Sequence, residues 1–533
     1  MDASRAWRWC LAVAAACTMV VLLAAPSFAH ATVEGSDPAP GSVLQTAPTS
    51  VTLTFDEAVS VVTDSLRVFG PDGGRVDSGP ILRPAGDGAK VGIAVDAQAK
   101  GTYLVSWRVI SDDSHPVTGA FTFSVGRRTT APTAATITTN QSLSLLLWYA
   151  RVIGYAGSAL LLGTTALIGL ADGAVGTARS RRRVVGLGAV ALLATCVLAL
   201  LAQGAYDAGT GWSAIGRPAL LGDVLGTTFG HGLLLRIAAV VAFVAILLAA
   251  RGRVRIGLLA VAGLGLAASF AMTGHGVTNP LTFVSTTLHV VVASLWIGGL
   301  VGLVAWVVRE PHRHVLTLQR FSWLALGCVG ALVVTGTYQA WRQVGAWGAL
   351  TGTTYGKELL VKLAMVGAAL GVASLSRRWV QGRATSADTD DGVAIRQSVI
   401  VELALGFLVF SLTASLAATE PATAAYHPTV RASLPAGPDV VHVSAVPAGD
   451  RTLDLDLTIS GPDQQPTNPA EVTAAVSLAA QQLGPLPVAL TPTGPGHYVG
   501  EVAVPVKGAW TLAVTLRTSE IDEYEATTGL PVR

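Results

Sequence analysis

Cysteine is scarce, and its positions restrict the chemistry that the polar parts of the chain offer. The 533 residues include four cysteines. Cys10 and Cys17 lie near the amino terminus, and Cys196 and Cys328 lie in apolar runs, where a small buried thiol is the ordinary interpretation. Residues 30–126 and 439–533 contain no cysteine. This excludes disulfides and thiolate metal sites from both regions.

Charge is scarce as well. Only 13% of the residues are charged, 51% are hydrophobic, and the mean hydropathy is +0.55. This composition is too apolar for a soluble enzyme and predicts a membrane protein surrounded by a lipid bilayer. With a formal net charge of +2 and no basic block, we expect no nucleic-acid partner. The chain has no nucleophile–base set, phosphate loop or ATPase motif, so we expect no enzyme activity.

The amino terminus has the features of a signal peptide. Two arginines precede an apolar run over residues 11–25, and Ser27 and Ala29 occupy the −3 and −1 positions that signal peptidase reads. Cleavage would remove residues 1–29 and make His30 the first residue of the mature protein. The α-amine and imidazole of His30 would then be close enough to chelate one metal ion.

Further ligands lie in the run 111–116, where Asp113 and His115 offer a carboxylate and an imidazole two residues apart. Together with His30 they form a tetragonal N,O set that suits Cu(II). The sequence therefore predicts a Cu(II) site of His30, Asp113 and His115. The alternative is that His30 merely follows a cleavage site and that His115 is a turn residue before Pro116.

Hydrophobic periodicity divides the mature chain into three parts. Residues 30–126 and 439–533 show period-two alternation separated by turn signals, which predicts two small β-sandwiches. Linkers at 127–142 and 421–438 flank a membrane domain at 143–420. Its apolar runs predict eight transmembrane helices, near 143–170, 184–203, 232–250, 256–273, 283–308, 322–341, 358–376 and 399–418.

Charge in the connections predicts the orientation. The odd-numbered connections hold most of the arginines, while the even-numbered ones hold only Arg217, Arg342 and Lys357. Because positive residues favour the cytoplasm, the odd connections are predicted inside. Both ends of the bundle, and therefore both β domains, are then extracytoplasmic. A cleaved signal peptide requires the same orientation.

Residues 30–126 resemble the periplasmic copper-binding protein CopC. The resemblance rests on the amino-terminal histidine, the strand VTLTFDEAV at 51–59 and the motif D-x-H-P-V-x-G-x-F-x-F-x-V at 113–125. It implies an all-β domain that binds copper. Some CopC proteins also carry a Met-rich Cu(I) site, and residues 30–126 contain no methionine, so we expect that second site to be missing.

Ionisable residues inside a bilayer are by default functional candidates. The predicted topology places His231, His275 and His289 in the outer half of the membrane, with Met272 one turn before His275. Imidazole and thioether ligands are accepted by copper, particularly Cu(I). The sequence therefore predicts a membrane copper path along Met272, His275, His289 and His231. For His289 the alternative is an interhelical hydrogen bond, and for His231 a helix-end position is favoured.

The membrane region resembles CopD, the membrane partner of CopC, over about residues 143–420. The resemblance rests on Gly274-His275, on L-H at 288–289 with W-x-G-G-L at 296–300, and on Y-G-K-E-L-L-V-K at 355–362. Three cations, Arg151, Arg236 and Lys362, also fall in outer half-helices, where they either snorkel to the interface or pair with Glu358. Their charge conflicts with a simple cation pore, and the sequence does not resolve this conflict.

The carboxy-terminal domain weakly resembles the YtkA/FixH-like domains that are fused to some copper proteins. The resemblance rests on GHYVGEV at 496–502 and GAWTLAV at 508–514. His442 and His497 could bind metal, although lone histidines on strands are usually surface residues.

These observations favour a copper-homeostasis membrane protein that captures Cu(II) outside the cell and transports copper, with import as the favoured direction. An extracytoplasmic copper chaperone or a cytoplasmic copper acceptor is the expected partner. One alternative is a redox enzyme, using either a copper brace or haem with His275 and His289 as axial ligands. Another is a copper sensor or anchor without transport.

Overall fold

The computed structural model describes eleven stretches of the chain. They are residues 33–111 without 56 and 62–64, 116–132, 140–274, 279–308, 311–383, 390–426, 428–449, 452–481, 483–504, 508–519 and 521–532. The predicted signal peptide lies outside these residues. The described residues form an amino-terminal β domain, a helical domain and a carboxy-terminal β domain.

The amino-terminal domain has eight described strands. They are β1 (Val33–Asp37), β2 (Val43–Leu44), β3 (Ser50–Phe55), β4 (Leu66–Phe69), β5 (Asp77–Leu82), β6 (Lys90–Val95), β7 (Gly101–Ile110) and β8 (Pro116–Val125). They form two four-stranded sheets, in the orders β1-β3-β6-β5 and β2-β8-β7-β4. A single apolar core lies between the sheets, and in it the rings of Tyr103 and Phe123 stack with centroids 5.2 Å apart.

Strand alternation predicts most of this core but not the outer face of β7. Val51, Leu53 and Phe55 are buried on alternate positions of β3, as predicted. Every residue of β7 is buried, including Ser106 and Arg108, which the alternation places on a wet face. Arg108 is buried because its side chain reaches the end of a helix in the next domain.

Eight long helices follow. They are α1 (Gln141–Leu170), α2 (Ala178–Asp207), α3 (Thr228–Ala249), α4 (Gly252–Met272), α5 (Pro280–Val307), α6 (Val315–Val344), α7 (Thr354–Arg383) and α8 (Asp390–Leu416). Short helices at Pro218–Leu225, Ala349–Gly352 and Ala422–Ala425 lie between or after them. Within the described residues, seven spans are long and apolar enough to cross a membrane: α1 to α6, and Val399–Leu416 of α8. The eighth predicted span lies in α7, which is not among the seven, so the count of eight stays a prediction.

Polar side chains fix where several of these helices begin. Asn140, Thr177, Thr227 and Asn279 cap α1, α2, α3 and α5 by accepting hydrogen bonds from backbone N–H groups of the first turn. These N–H groups have no partner inside the helix, so the caps satisfy them. Each of these four helices thus starts at a capping residue that the sequence specifies.

Glycine allows α1 and α5 to pack backbone to backbone. A Cβ atom added at Gly298 would overlap the carbonyl group of Ala159, and one added at Gly163 would overlap the backbone of Ser294 and Gly298. Gly302 similarly faces the side chain of Leu167. Small residues four positions apart in the sequence, here Gly298 and Gly302, lie on one face of a helix and allow the backbones of two helices to pack closely.

The carboxy-terminal domain consists of nine described strands. They are β9 (Val430–Ala436), β10 (Asp439–Gly449), β11 (Thr452–Ser460), β12 (Glu471–Leu478), β13 (Leu483–Val488), β14 (Leu490–Gly494), β15 (His497–Ala503), β16 (Gly508–Arg517) and β17 (Glu523–Val532). Sheets β14-β15-β11-β10-β9 and β13-β12-β16-β17 enclose one core around the fully buried Trp510. Both ring nitrogens of His442 and of His497 form hydrogen bonds within this domain.

Candidate functional site

The flanks of the predicted Cu(II) site meet at one end of the amino-terminal sandwich. The three predicted ligands lie outside the described residues: His30, Asp113 and His115. Strand β1 begins at Val33, which pairs with Phe55, and Ser60 pairs with Ile110 at the end of β7. Ser60 is five positions after Phe55, a reach of at most about 18 Å. The start of β1 and the end of β7 therefore lie on the same side of the domain.

The strand that leads to the predicted ligands also docks on the helical domain. The Nε of Arg108 donates to the carbonyl of Asp207, and its Nη2 donates to the carbonyl of Tyr206 at 2.8 Å. These carbonyls end α2 and have no partner inside the helix, and a cation there also complements the helix dipole. Burial lowers the pKa of the Arg108 guanidinium below its ordinary value, and the nearby Asp207 opposes that shift. The guanidinium remains charged.

A cavity of about 190 Å³ lies inside the helical domain, and all eight long helices line it. Its lining comes from the carboxy-terminal parts of α2, α4, α6 and α8 and from the amino-terminal parts of α1, α3, α5 and α7. The cavity therefore occupies one end of an antiparallel bundle. Arg108 docks at this same end, since Gln203 of α2 lines the cavity and donates to the carboxylate of Asp207 at 2.9 Å.

His289 of α5 lines this cavity and makes the interhelical hydrogen bond that the sequence offers as an alternative. Its Nδ1 lies 2.8 Å from the hydroxyl of Thr335 in α6, and that hydroxyl donates to the carbonyl of Ala331 at 2.7 Å. With its proton directed to Ala331, Thr335 accepts from Nδ1–H. The lone pair then resides on Nε2, the tautomer of a metal-ligating histidine whose other nitrogen is held by a partner. The hydrogen bond is thus compatible with a ligand role.

The other predicted path residues have different positions. His275 lies outside the described residues, and it directly follows Gly274, which lines the cavity. Met272 is half-buried against Gly232 and is not in the described lining. His231 is exposed at the start of α3 and does not line the cavity either. Within the described stretches, no three His, Cys, Asp or Glu side chains group as a metal site.

The three membrane cations, whose roles the sequence leaves open, all line this one cavity: Arg151, Arg236 and Lys362. Glu358 is not the partner of Lys362. It accepts hydrogen bonds from Ser415 and Thr419 of the α8 end, each at 3.1 Å. Of the two alternatives for Lys362, an ion pair with Glu358 is not found among the described residues, and hydroxyls at the end of α8 bind that carboxylate instead.

Sequence reasoning missed two features of the site. It did not identify Gln203, Gln339 and Gln343 as cavity residues, although glutamine inside an apolar span is itself unusual. It also placed Arg108 on a wet face. Its position in a largely hydrophobic strand could have indicated that Arg108 is buried. The reason for the burial, however, is the contact with the end of α2, which the sequence does not show.

Comparisons with known families agree with this architecture. Residues 33–126 match the CopC domain family. Residues 142–280 match the copper resistance protein D-like N-terminal domain, and residues 315–416 match copper resistance protein D. The two membrane families together include seven of the long helices, completely or in part, and the amino-terminal match coincides with the sandwich.

Individual relatives match different parts of the chain. Copper transport protein CutJ of Bacillus subtilis is 27% identical over 366 residues, which cover 64% of this chain and 66% of CutJ, just under two thirds of that protein. Inner membrane protein YebZ of Escherichia coli is 28% identical, covering 40% of this chain and 76% of YebZ. The crystal structure of CopC from Methylosinus trichosporium aligns with 25% identity and a TM-score of 0.16, over 18% of this chain and 93% of that one. The chain therefore joins a CopC domain to the two domains of copper resistance protein D, and its described residues include seven helices long and apolar enough to cross a membrane.

Proposed function

We propose that this protein captures Cu(II) outside the cell and imports copper across the cytoplasmic membrane. The observation that carries the proposal is the polar cavity at the bundle end on which the CopC domain docks through Arg108. A copper ion released from the end of β7 would meet the membrane domain at this end.

The capture site is proposed to consist of the α-amine and imidazole of His30, the carboxylate of Asp113 and the imidazole of His115. This set combines three nitrogens and one oxygen, a preference of Cu(II). Support comes from the strands on either side, because β1 begins and β7 ends at the same end of the sandwich.

The membrane path is proposed to begin at His289 and His275, with Met272 and His231 as further ligands for copper, including Cu(I). His289 supports this proposal most directly, since it lines the cavity and Thr335 holds its Nδ1. His231 is the least supported member, because its side chain is exposed outside the cavity.

The orientation is proposed to place both β domains outside the cell. The cavity, the docked CopC domain and the start of the carboxy-terminal domain then share the extracytoplasmic side. Arginine enrichment in the opposite connections supports this orientation. In this account the protein carries out no catalysis, and copper is its cargo.

Cellular copper content tests the function and its direction together. Cells that lack the protein are expected to contain less copper than wild-type cells when copper is limiting and to tolerate toxic copper better. The wild-type gene should restore accumulation and the His289→Ala variant should not, while His314→Ala, a histidine outside the cavity and the proposed path, serves as the matched control. Higher copper content in cells that lack the protein would indicate export and contradict the proposal.

A further inference from the structure

The cavity of the helical domain has an unbalanced charge. Arg151 of α1, Arg236 of α3 and Lys362 of α7 line it together, although they come from three different helices. No aspartate or glutamate is among its described lining residues. Three positive groups converge in a space that would repel a copper ion.

Protein groups do not neutralise these cations. Arg236 is 8% exposed, and its described partners are uncharged groups: Ser269, Thr273, the thiol of Cys196 and the ring of Phe270, whose centroid lies 3.7 Å from the guanidinium carbon. Among the described residues, neither Arg151 nor Lys362 has a hydrogen bond or an ion pair within 4 Å.

Two carboxylates near this end of the bundle, Asp207 and Glu358, have other partners. Asp207 interacts with Arg151 only at longer range, while Gln203 and the Arg108 side chain hold that residue. Glu358 accepts from Ser415 and Thr419 of the α8 end. An unpaired charge inside a protein or bilayer costs several kcal/mol. A bound anion would remove this cost.

Neutral groups in the same cavity also lack partners. The Nε2 of Gln339 and the side-chain oxygens of Gln203 and Gln343 are buried, and within the described residues they have no hydrogen bond. Gln203 as a whole is only 2% exposed. A buried polar atom without a partner destabilises the protein, because it has lost its hydrogen bonds to water. The Nε2 of Gln339 is a donor suited to an anion, and the two oxygens are suited to its water molecules.

We propose that this cavity binds an oxyanion: a carboxylate or phosphate group, carried either by a small molecule or by a lipid headgroup. Guanidinium groups form paired, charge-assisted hydrogen bonds with such oxygens, and a lysine ammonium adds a point charge. The volume of about 190 Å³ far exceeds the space of about 10–15 Å³ that one water needs, so a hydrated anion fits.

Oxyanion binding gives the three cations a role that a bare copper path does not. A negative group among them offsets the repulsion between the cavity wall and copper at His289. The effect on copper at His289 rests on the proposed function, whereas the binding of an oxyanion in the cavity does not.

Binding to the metal-free full-length protein tests the proposal. The protein is stripped of copper, desalted and placed in nanodiscs of phosphatidylcholine. Inorganic phosphate and succinate are then titrated by calorimetry. A second preparation contains phosphatidylglycerol, and native mass spectrometry reports the retained lipid.

The variants are Lys362→Met and Arg151→Gln, because Arg236 also joins α3 to α4 and its replacement risks misfolding. Arg320→Gln, a cation with an exposed side chain paired with Asp172, is the matched control.

Saturable binding of phosphate or succinate, weakened at least tenfold in both variants and unchanged in Arg320→Gln, supports a small-molecule oxyanion. Selective retention of phosphatidylglycerol with the same variant pattern supports a lipid headgroup. The proposal is overturned when no probe binds saturably, or when both variants bind as the control does. Normal oxyanion binding in a protein that moves no copper would contradict the proposed function alone.

Discussion

At the residue scale, a single hydroxyl determines which nitrogen of His289 is available. Thr335 donates to Ala331 and accepts from Nδ1, so the lone pair of the imidazole resides on Nε2. The neighbouring histidine in sequence, His275, lies beyond the described residues, but Gly274 brings the chain to the cavity wall. The tautomer of His289 is therefore the most specific chemical feature of the membrane site.

Replacing Thr335 with Val keeps the side-chain shape and removes the acceptor for Nδ1–H. Loss of a hydrogen bond that orients a metal-ligating histidine typically weakens metal binding by roughly 10–100-fold. We expect the copper concentration that half-saturates uptake to rise by about tenfold or more. Thr335→Ser retains the hydroxyl and should behave as wild type. Equal uptake by the Val and Ser variants would show that His289 does not act through this hydrogen bond.

The proposed capture site makes a prediction about the chain terminus itself. Inserting one alanine between Ala29 and His30 retains both imidazoles and Asp113 but replaces the α-amine with a peptide nitrogen. Because that nitrogen must lose a proton before it coordinates, Cu(II) binding should weaken and become more dependent on pH. Electron paramagnetic resonance of the full-length protein should show a changed nitrogen hyperfine pattern. The same spectrum and affinity as wild type would exclude the amine as a ligand.

The same site should release copper as the pH falls. The ordinary pKa of an α-amine is about 7.7–8.0 and that of histidine about 6.5, and metal competes with protons for both groups. Copper binding is therefore favoured above these values and is lost as pH decreases through them, with Asp113 protonated last. Titration of the Cu(II) signal between pH 8 and pH 4 measures this loss. A signal constant over that range would require a different ligand set.

At the scale of secondary-structure elements, the contact between α1 and α5 sets how closely the two halves of the helical domain approach. A methyl group at Gly298 would overlap the Ala159 carbonyl, so Gly298→Ala should destabilise the protein by about 1–3 kcal/mol, the usual cost of overpacking. Gly330→Ala in α6 is the matched control, because nothing lies within 4 Å of the added methyl group. Thermal unfolding in detergent compares them. Equal midpoints would contradict the close packing.

The docking of β7 on α2 is a second contact between elements. Arg108→Gln removes a charged donor to two helix-end carbonyls, and hydrogen bonds to charged groups are worth about 1.5–3 kcal/mol. We expect copper uptake to fall several-fold while the Cu(II) spectrum of the capture site is unchanged. Arg128→Gln, an exposed arginine that binds the carbonyl of Gly41 within its own domain, is the control. Loss of the Cu(II) spectrum in Arg108→Gln would assign Arg108 to the capture site instead.

Much of the fold follows from local patterns, and the exceptions have identifiable causes. Alternation places Leu455 and Leu457 of β11 in the core, and apolar length predicts the spans that the structure shows. Arg108 breaks the alternation because a helix from another domain covers it. The cavity required knowledge of how eight helices pack, since no local pattern states that residues 150 or more positions apart, such as Arg151 and Lys362, share one space.

At the scale of the whole molecule, the proposed function arranges copper capture and membrane passage in series. The CopC domain docks through Arg108 on the bundle end that contains the cavity, and the chain leaves α8 for the carboxy-terminal domain at this end as well. The central claim is that copper bound by the first domain passes through the membrane domain by way of His289.

Copper entry into proteoliposomes tests this claim most directly. Full-length protein is reconstituted, vesicles with outward-facing CopC domains are selected, and copper is added outside with and without ascorbate while an indicator inside reports its arrival. We expect copper entry above that of protein-free vesicles in at least one of these conditions, reduced several-fold by His289→Ala and unaffected by His314→Ala, a histidine outside the cavity. Copper that binds to the wild-type protein but never reaches the vesicle interior, or that enters equally well through His289→Ala, would contradict the claim.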